Sequence, residues 1–196
     1  MSSVQKMIAG LGFSPEALAK LEQYEHLITQ WNKAINLVAP STLSNVWDRH
    51  LLDSAQLWPF IGADKTIIDL GSGGGLPGIV LAIAGAKHIT MIESDKRKCV
   101  FLREVSRETK LDNVTVINER IEKNKADKAD IVTARALAPL KQLVEWATPF
   151  LKEDGKMVFL KGADVHYEIN DLPLEIKQKT QLFPSKTNKD SQIIVI

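Results

Sequence analysis

The sequence holds a single cysteine, Cys99, among 196 residues. A lone thiol excludes an internal disulfide and a cysteine-rich zinc site, and it fits a reducing, cytoplasmic address. In "KCVFL" it reads as a small buried hydrophobe. The four histidines, His26, His50, His88 and His166, stand at no metal-ligand spacing, so no metal centre is expected. No apolar run reaches the roughly 18 residues of a membrane span, and no membrane partner is expected. The opening stretch "MSSVQKMIAGLGFSPEAL" lacks a long apolar core behind basic residues and does not read as a signal peptide. Neither sign of charge dominates: 25 Lys and Arg face 24 Asp and Glu, for a net charge of +1. That balance leaves nucleic acid open as a partner, because a local basic patch suffices to hold phosphate. Internal repeats and low-complexity tracts are also missing.

What is present divides the chain in two. Residues 1–60 read as a helical extension packed on a core. Ser14 is placed to cap a helix that has Pro15 at its first position, and Leu21, Tyr24, Ile28, Trp31 and Ile35 recur at spacings of three and four. One or two short helices are expected over 42–60. Residues 61–196 alternate strands with helices: strands at 65–70, 88–94, 114–118, 129–134 and 156–161, helices at 77–85, 96–110 and 140–151. This alternation predicts an α/β fold built from right-handed βαβ units on a mostly parallel sheet. Two last strands, 175–183 and 191–196, stand too close for a helical crossover and predict an antiparallel end to the sheet.

The chemistry concentrates in "IIDLGSGGGLPG", residues 67–78, where five glycines follow a hydrophobic strand. A strand–helix turn at the carboxyl end of a parallel strand is where such sheets bind ligands. Bare backbone there lets a ligand approach without meeting a Cβ. Two ligand classes compete. Gly73-x-Gly75-x-x-Gly78, with Glu93 about 20 residues on, matches the dinucleotide fingerprint and would suit an NAD-binding oxidoreductase. "DLGSGGG" matches the D-x-G-x-G-x-G turn of Rossmann-like class I S-adenosylmethionine-dependent methyltransferases. In those enzymes one acid, here Asp69, orients the loop or the ligand's amino-acid end, and a second, here Glu93, holds the ribose hydroxyls. An antiparallel last strand favours the second class.

Further segments carry a more specific resemblance: "WNKAINL" (31–37), "RHLLDS" (49–54), "DLGSGGGLPG" (69–78), "ARALAP" (134–139) and "LKG" (160–162). Together they make the chain resemble the bacterial RsmG family, also called GidB, over nearly its whole length. The resemblance implies methylation of guanine N7 in a loop of 16S rRNA, the 530 loop, with S-adenosyl-L-methionine as cofactor. It implies 16S rRNA or the 30S subunit as partner and no DNA. Methylation of another RNA or of a small substrate is the alternative. It implies cofactor contacts at Gly71, Leu76, Ile121, Glu122 and Arg135, with Leu76 and Ile121 around the adenine; the methyltransferase turn adds Asp69, Gly73, Gly75 and Glu93. Asn36, Arg49, His50, Asp53, Arg135 and Lys161 are the candidates to receive the RNA. Guanine N7 has a free lone pair and no proton, so no general base is required and orientation can carry the reaction. A basic helix bearing Lys96, Arg97, Lys98, Arg103, Arg107 and Lys110 is either an RNA track or a solvated face. Two departures stand out: Val38 and Ala39 follow Asn36-Leu37 where relatives commonly have threonine, and "DSQIIVI" carries no basic residue.

Calorimetry should therefore detect S-adenosylmethionine binding and no NAD binding, and Gly73→Val should abolish the former, because a β-branched residue cannot adopt positive φ cheaply. NAD binding alone would overturn the ligand class.

Overall fold

The computed structural model describes residues 1–196. Seven strands form one sheet in the order β3-β2-β1-β4-β5-β7-β6. They are β1 (Thr66–Leu70), β2 (His88–Glu93), β3 (Val114–Asn118), β4 (Ala129–Arg135), β5 (Leu151–Lys161), β6 (Gln181–Pro184) and β7 (Gln192–Val195). The first five are parallel to one another, and β7 runs antiparallel to both β5 and β6. The chain builds outward from β1 to β3, then returns to place β4 on the other side of β1. That reversal opens a crevice at the carboxyl ends of β1 and β4, the position where open α/β sheets take ligands.

Helices cover both faces. The helices are α1 (Ser3–Gly10), α2 (Pro15–Trp31), α3 (Asp53–Ala55), α4 (Trp58–Ile61), α5 (Gly78–Ala84), α6 (Lys96–Glu108), α7 (Leu140–Ala147), α8 (Val165–Glu168) and α9 (Leu174–Lys179). Successive residues of β1 point to opposite faces: Ile67 joins a core cluster with Leu21, Tyr24, Ile28, Ile79 and Phe101. Ile68 joins the other with Leu140, Leu143 and Phe159. Both faces of the central strands are dry, which is why they read as continuous apolar runs. The first 60 residues belong to the larger cluster rather than standing apart from it.

Ser14 accepts a hydrogen bond from Ala17 N (3.1 Å) and caps α2 with Pro15 at its first position. Leu21, Tyr24 and Ile28 are buried as their spacing requires. Before β1 the backbone is more broken than expected: a 3-10 turn (Pro40–Asn45) leads into a π turn (Trp47–Leu52) and then α3. π turns are rare and recur at functional sites; this one carries Arg49 and His50. The helix expected over 140–151 ends at Ala147, where Thr148–Phe150 tightens to 3-10 around Pro149. The strand expected at 175–183 is a correction. Residues 174–179 are α9, and only Gln181–Pro184 pairs with β7. Pro173 starts that helix, and Glu175 near its beginning with Lys177 and Lys179 near its end complements the helix dipole. Glu, Lys and Gln in "EIKQKTQLF" are helix formers, and they carry 175–179 into α9.

One contact ties the N-terminal helices to the glycine turn. The Tyr24 hydroxyl, fully buried on α2, donates to the Gly74 carbonyl. Burial pushes the phenol far above its ordinary pKa, so it stays a donor. Tyr24→Phe should leave that carbonyl unsatisfied and cost about 1–3 kcal/mol in urea unfolding; an unchanged midpoint would show that the tie adds no stability.

Candidate functional site

The turn after β1 owes its shape to Asp69. This side chain is fully buried, and its Oδ2 accepts from Gly78 N at 3.2 Å, closing the loop from strand end to helix start. A Cβ on Gly78 would sit 2.7 Å from that oxygen, so only glycine allows the approach. The other oxygen, Oδ1, has no partner. Burial raises the Asp69 carboxyl to about 7, with the Glu93 charge adding to the rise and the Gly78 hydrogen bond and Arg135 opposing it. Asp69 is therefore a loop-shaping residue that does not line the crevice.

Glu93, at the end of β2, holds the same turn from the other side. Its Oε2 accepts from Gly73 N at 2.8 Å and its Oε1 from Asp95 N at 2.7 Å. Gly73 has φ +55°, and a Cβ built on it would meet nothing closer than 3.8 Å. Above the turn lies a cavity of about 440 Å³ lined by Gly71, Gly73, Leu76, Glu93, Ile121, Glu122 and Arg135, all anticipated from the sequence. Leu37, Leu137, Lys98 and Trp146 also line it and were not anticipated. Besides Asp69, Gly75 is the other expected contact that does not line it. A Cβ there would strike Ile79, Tyr24 and Leu102, so this glycine serves packing beneath the turn and does not face the cavity. The dinucleotide fingerprint needs its second glycine against a pyrophosphate, and that reading fails on this placement.

A second cavity of about 220 Å³ adjoins the first. Arg49, His50, Asp53, Arg135 and Lys161 line it, joined by Thr187, Asn188 and Ser191 from the loop between β6 and β7. Arg135 and Ala136 line both cavities and form the wall between them. Ala136 has φ +50°, a left-handed conformation unusual for a residue with a Cβ. The Arg135 guanidinium, only 18% exposed, places Nη1 3.2 Å from Asp53 Oδ2, 3.2 Å from His50 Nδ1 and 3.4 Å from the Arg49 carbonyl. Its Nε and Nη2 make no hydrogen bond within the protein.

His50 stays neutral. Burial first, then the charges of Arg135 and Arg49, lower it to about 4. Accepting from Arg135 at Nδ1 requires the proton on Nε2, which lies 2.7 Å from Thr42 Oγ1; that hydroxyl donates to the Ala39 carbonyl at 2.7 Å. The chain Arg135–His50–Thr42–Ala39 thus fixes the imidazole tautomer.

Asn36 and Lys161 are placed differently from the other substrate-side candidates. Asn36 is exposed and lines neither cavity. The asparagine that organises "WNKAINL" is Asn32, whose Oδ1 accepts from both Leu37 N and Val38 N at 2.9 Å and so swings Leu37 over Gly74. Lys161 reaches the second cavity, yet its ammonium is paired with Glu168 Oε2 (2.7 Å) and the Ala138 carbonyl (3.0 Å). It braces the segment that follows Arg135 instead of standing free for phosphate. On α6, Arg97 pairs with Asp95, Arg107 with Glu104 and Glu108, and Arg103 reaches the Val116 carbonyl. Lys96, Lys98 and Lys110 make no ion pair, and Lys98 lines the first cavity.

The family model for rRNA small subunit methyltransferase G (GidB) matches residues 17–194. The chain belongs to this family. Ribosomal RNA small subunit methyltransferase G of Gluconobacter oxydans (strain 621H) is 49% identical over 183 residues, covering 93% of this chain and 94% of the relative. The protein of that name from Paramagnetospirillum magneticum (strain ATCC 700264 / AMB-1) is 45% identical, covering 97% and 93%. Among solved structures, a ribosomal protein L11 methylase from Lactobacillus delbrueckii subsp. bulgaricus superposes with TM-score 0.63 at 16% identity over 79% of this chain and 78% of its own. M. jannaschii TYW2, solved in complex with AdoMet, gives TM-score 0.55 at 17% identity over 83% and 76%. These two likenesses show the Rossmann-like class I methyltransferase fold. The GidB family match covers the segments from "WNKAINL" to "LKG" by which the sequence resembles it.

Asp69 has a folded pKa above its unfolded value, so its contribution to stability is complete below about pH 4 and is lost as pH rises toward 7. Asp69→Asn does not titrate. Urea unfolding should show the stability of the variant relative to wild type climbing between pH 4 and 7 and level above it; a pH-independent difference would mean that Asp69 does not titrate in this window.

Proposed function

We propose that this chain transfers a methyl group from S-adenosyl-L-methionine to N7 of a guanine in the 530 loop of 16S rRNA, presented on naked RNA or the 30S subunit in the cytoplasm. One observation carries the reading: a cavity floored by the glycine turn and a cavity walled by cations and amides meet at Arg135 and Ala136. Two ligands seated there would touch, and transfer between bound partners needs that and little else.

The first cavity suits the cofactor on its own chemistry. Gly73 presents open backbone, and Leu76 and Ile121 offer two apolar surfaces for a ring. Each Glu93 oxygen accepts one backbone hydrogen bond and keeps further lone pairs for ribose hydroxyls. Glu122 supplies an acceptor for an exocyclic amine. Bound there, the cofactor supplies an electrophilic methyl group on a sulfonium centre. The protein's part is to orient and to exclude water. His50, neutral and hydrogen-bonded at both ring nitrogens, is a holder of Arg135 and no base, in keeping with a nucleophile that has no proton to lose. The free Nε and Nη2 of Arg135 are left for phosphate or cofactor carboxylate, which a guanidinium grips well. Residues 1–60 act as the support that holds Arg135 and the glycine turn of the 61–196 unit in place.

The test is mass mapping of small-subunit RNA from cells with and without this protein. Without it, one methyl group should be missing from the 530 loop, and purified wild-type protein with S-adenosylmethionine should restore it. Arg135→Ala should lose roughly ten- to a hundredfold in both cofactor affinity and transfer, the worth of a charged hydrogen bond. Identical RNA from both cells would overturn the proposal.

A further inference from the structure

The seven residues 185–191 that join β6 to β7 are held in place by side chains from the other end of the chain. Lys186 N donates to Gln56 Oε1 at 2.7 Å, Gln56 Nε2 donates to Ser185 Oγ at 3.0 Å, and the Thr187 hydroxyl donates to Asp53 Oδ1 at 2.7 Å. Gln56 is 1% exposed and spends its amide on this loop and on Asp53, which its Nε2 also reaches at 3.0 Å. Antiparallel neighbours need only two to five connecting residues, and a longer loop fastened by a buried amide is a built feature. The fastening point is also informative. The carboxylate that takes the Thr187 hydroxyl on Oδ1 takes Arg135 on Oδ2, so the loop and the guanidinium are registered against the same group.

The loop's chemistry suits the backbone of a nucleic acid. Thr187 and Asn188 line the second cavity. Asn188 Oδ1 accepts from Asp190 N at 3.0 Å, which leaves its amide NH2 as a donor. On either side stand Lys186 and Lys189, both exposed and neither in an ion pair. Asp190 is the one acid in the loop. The final strand has no basic residue; the cations stand in the turn before it. Resting on the reading of the substrate as RNA, we propose that this loop is the substrate-side wall of the site: Lys186 and Lys189 hold RNA phosphates flanking the target nucleotide, and Thr187 is a positioning residue that sets the loop against Arg135 through Asp53.

Two measurements test it on the full chain. The first is binding to unmodified 30S subunits across a salt series, which needs no turnover. The double variant Lys186→Gln, Lys189→Gln should bind S-adenosylmethionine normally, bind 30S roughly tenfold more weakly near physiological salt, and lose about two from the slope of log affinity against log salt. Unchanged 30S affinity and slope would overturn the phosphate assignment. The second is transfer kinetics. Thr187→Ala should lower kcat roughly ten- to a hundredfold with cofactor affinity unchanged, and Thr187→Ser, which keeps the hydroxyl, should restore it. Wild-type kcat in Thr187→Ala, or a loss that serine fails to restore, would overturn the positioning role. If wild-type protein binds 30S or naked 16S rRNA steeply with salt yet transfers no methyl, the functional reading falls while the lysine result still stands; if it binds neither, both fall.

Discussion

A guanidinium that is four-fifths buried must be neutralised and hydrogen-bonded, and the way Arg135 meets that demand organises the site. Its partners, Asp53, His50 and the Arg49 carbonyl, all lie in the irregular helical stretch before β1. Arg135 itself ends β4. Removing either partner of such a pair strands a charge with little water to receive it, so the pair fastens the N-terminal segment across the mouth of the sheet. The π turn that bears His50 and the left-handed Ala136 next to Arg135 are the backbone irregularities at this joint. Ala136 sits where the two cavities meet, as stored strain at working sites does, and the π turn lines the second cavity.

The glycine turn is held on the same principle, with backbone amides as the donors. Asp69 takes Gly78 N from below, Glu93 takes Gly73 N from the side, and Tyr24 gives its hydroxyl to the Gly74 carbonyl from the helical layer. A loop with this many glycines loses much entropy on ordering. Three side chains from three elements oppose that loss. Asp69 is the costly member, buried with one oxygen unpartnered, and its raised pKa is the sign of that cost.

Much of this was legible in the residues. The alternation of apolar runs fixed a mostly parallel sheet, because strands dry on both faces leave continuous hydrophobic stretches. The glycines with Asp69 and Glu93 marked the ligand turn, because few other arrangements need so much bare backbone after a buried strand. The segment 175–183 divides between helix and strand because its first half is rich in helix formers, and only the pairing of Gln181–Pro184 with β7 decides where the strand begins. Among the substrate-side candidates, Lys161 reaches the second cavity and Asn36 does not. Residue type and neighbourhood were legible; that Asn32 shapes the loop after α2 and that Glu168 takes the lysine charge were not.

The sequence by itself determined the fold class, the place of the ligand turn and the family, since each rests on local pattern: period, glycine density, motif spacing. Tertiary structure alone decided which glycines face the cavity and which only allow packing, which cations are spent on protein carboxylates, and that a loop near residue 188 shares a wall with residues 49–53. Those outcomes depend on contacts that the fold chooses, from Lys161 with Glu168 across a turn to Thr187 with Asp53, more than a hundred positions apart. No local pattern records them, because partners in space are chosen by the packing of whole layers.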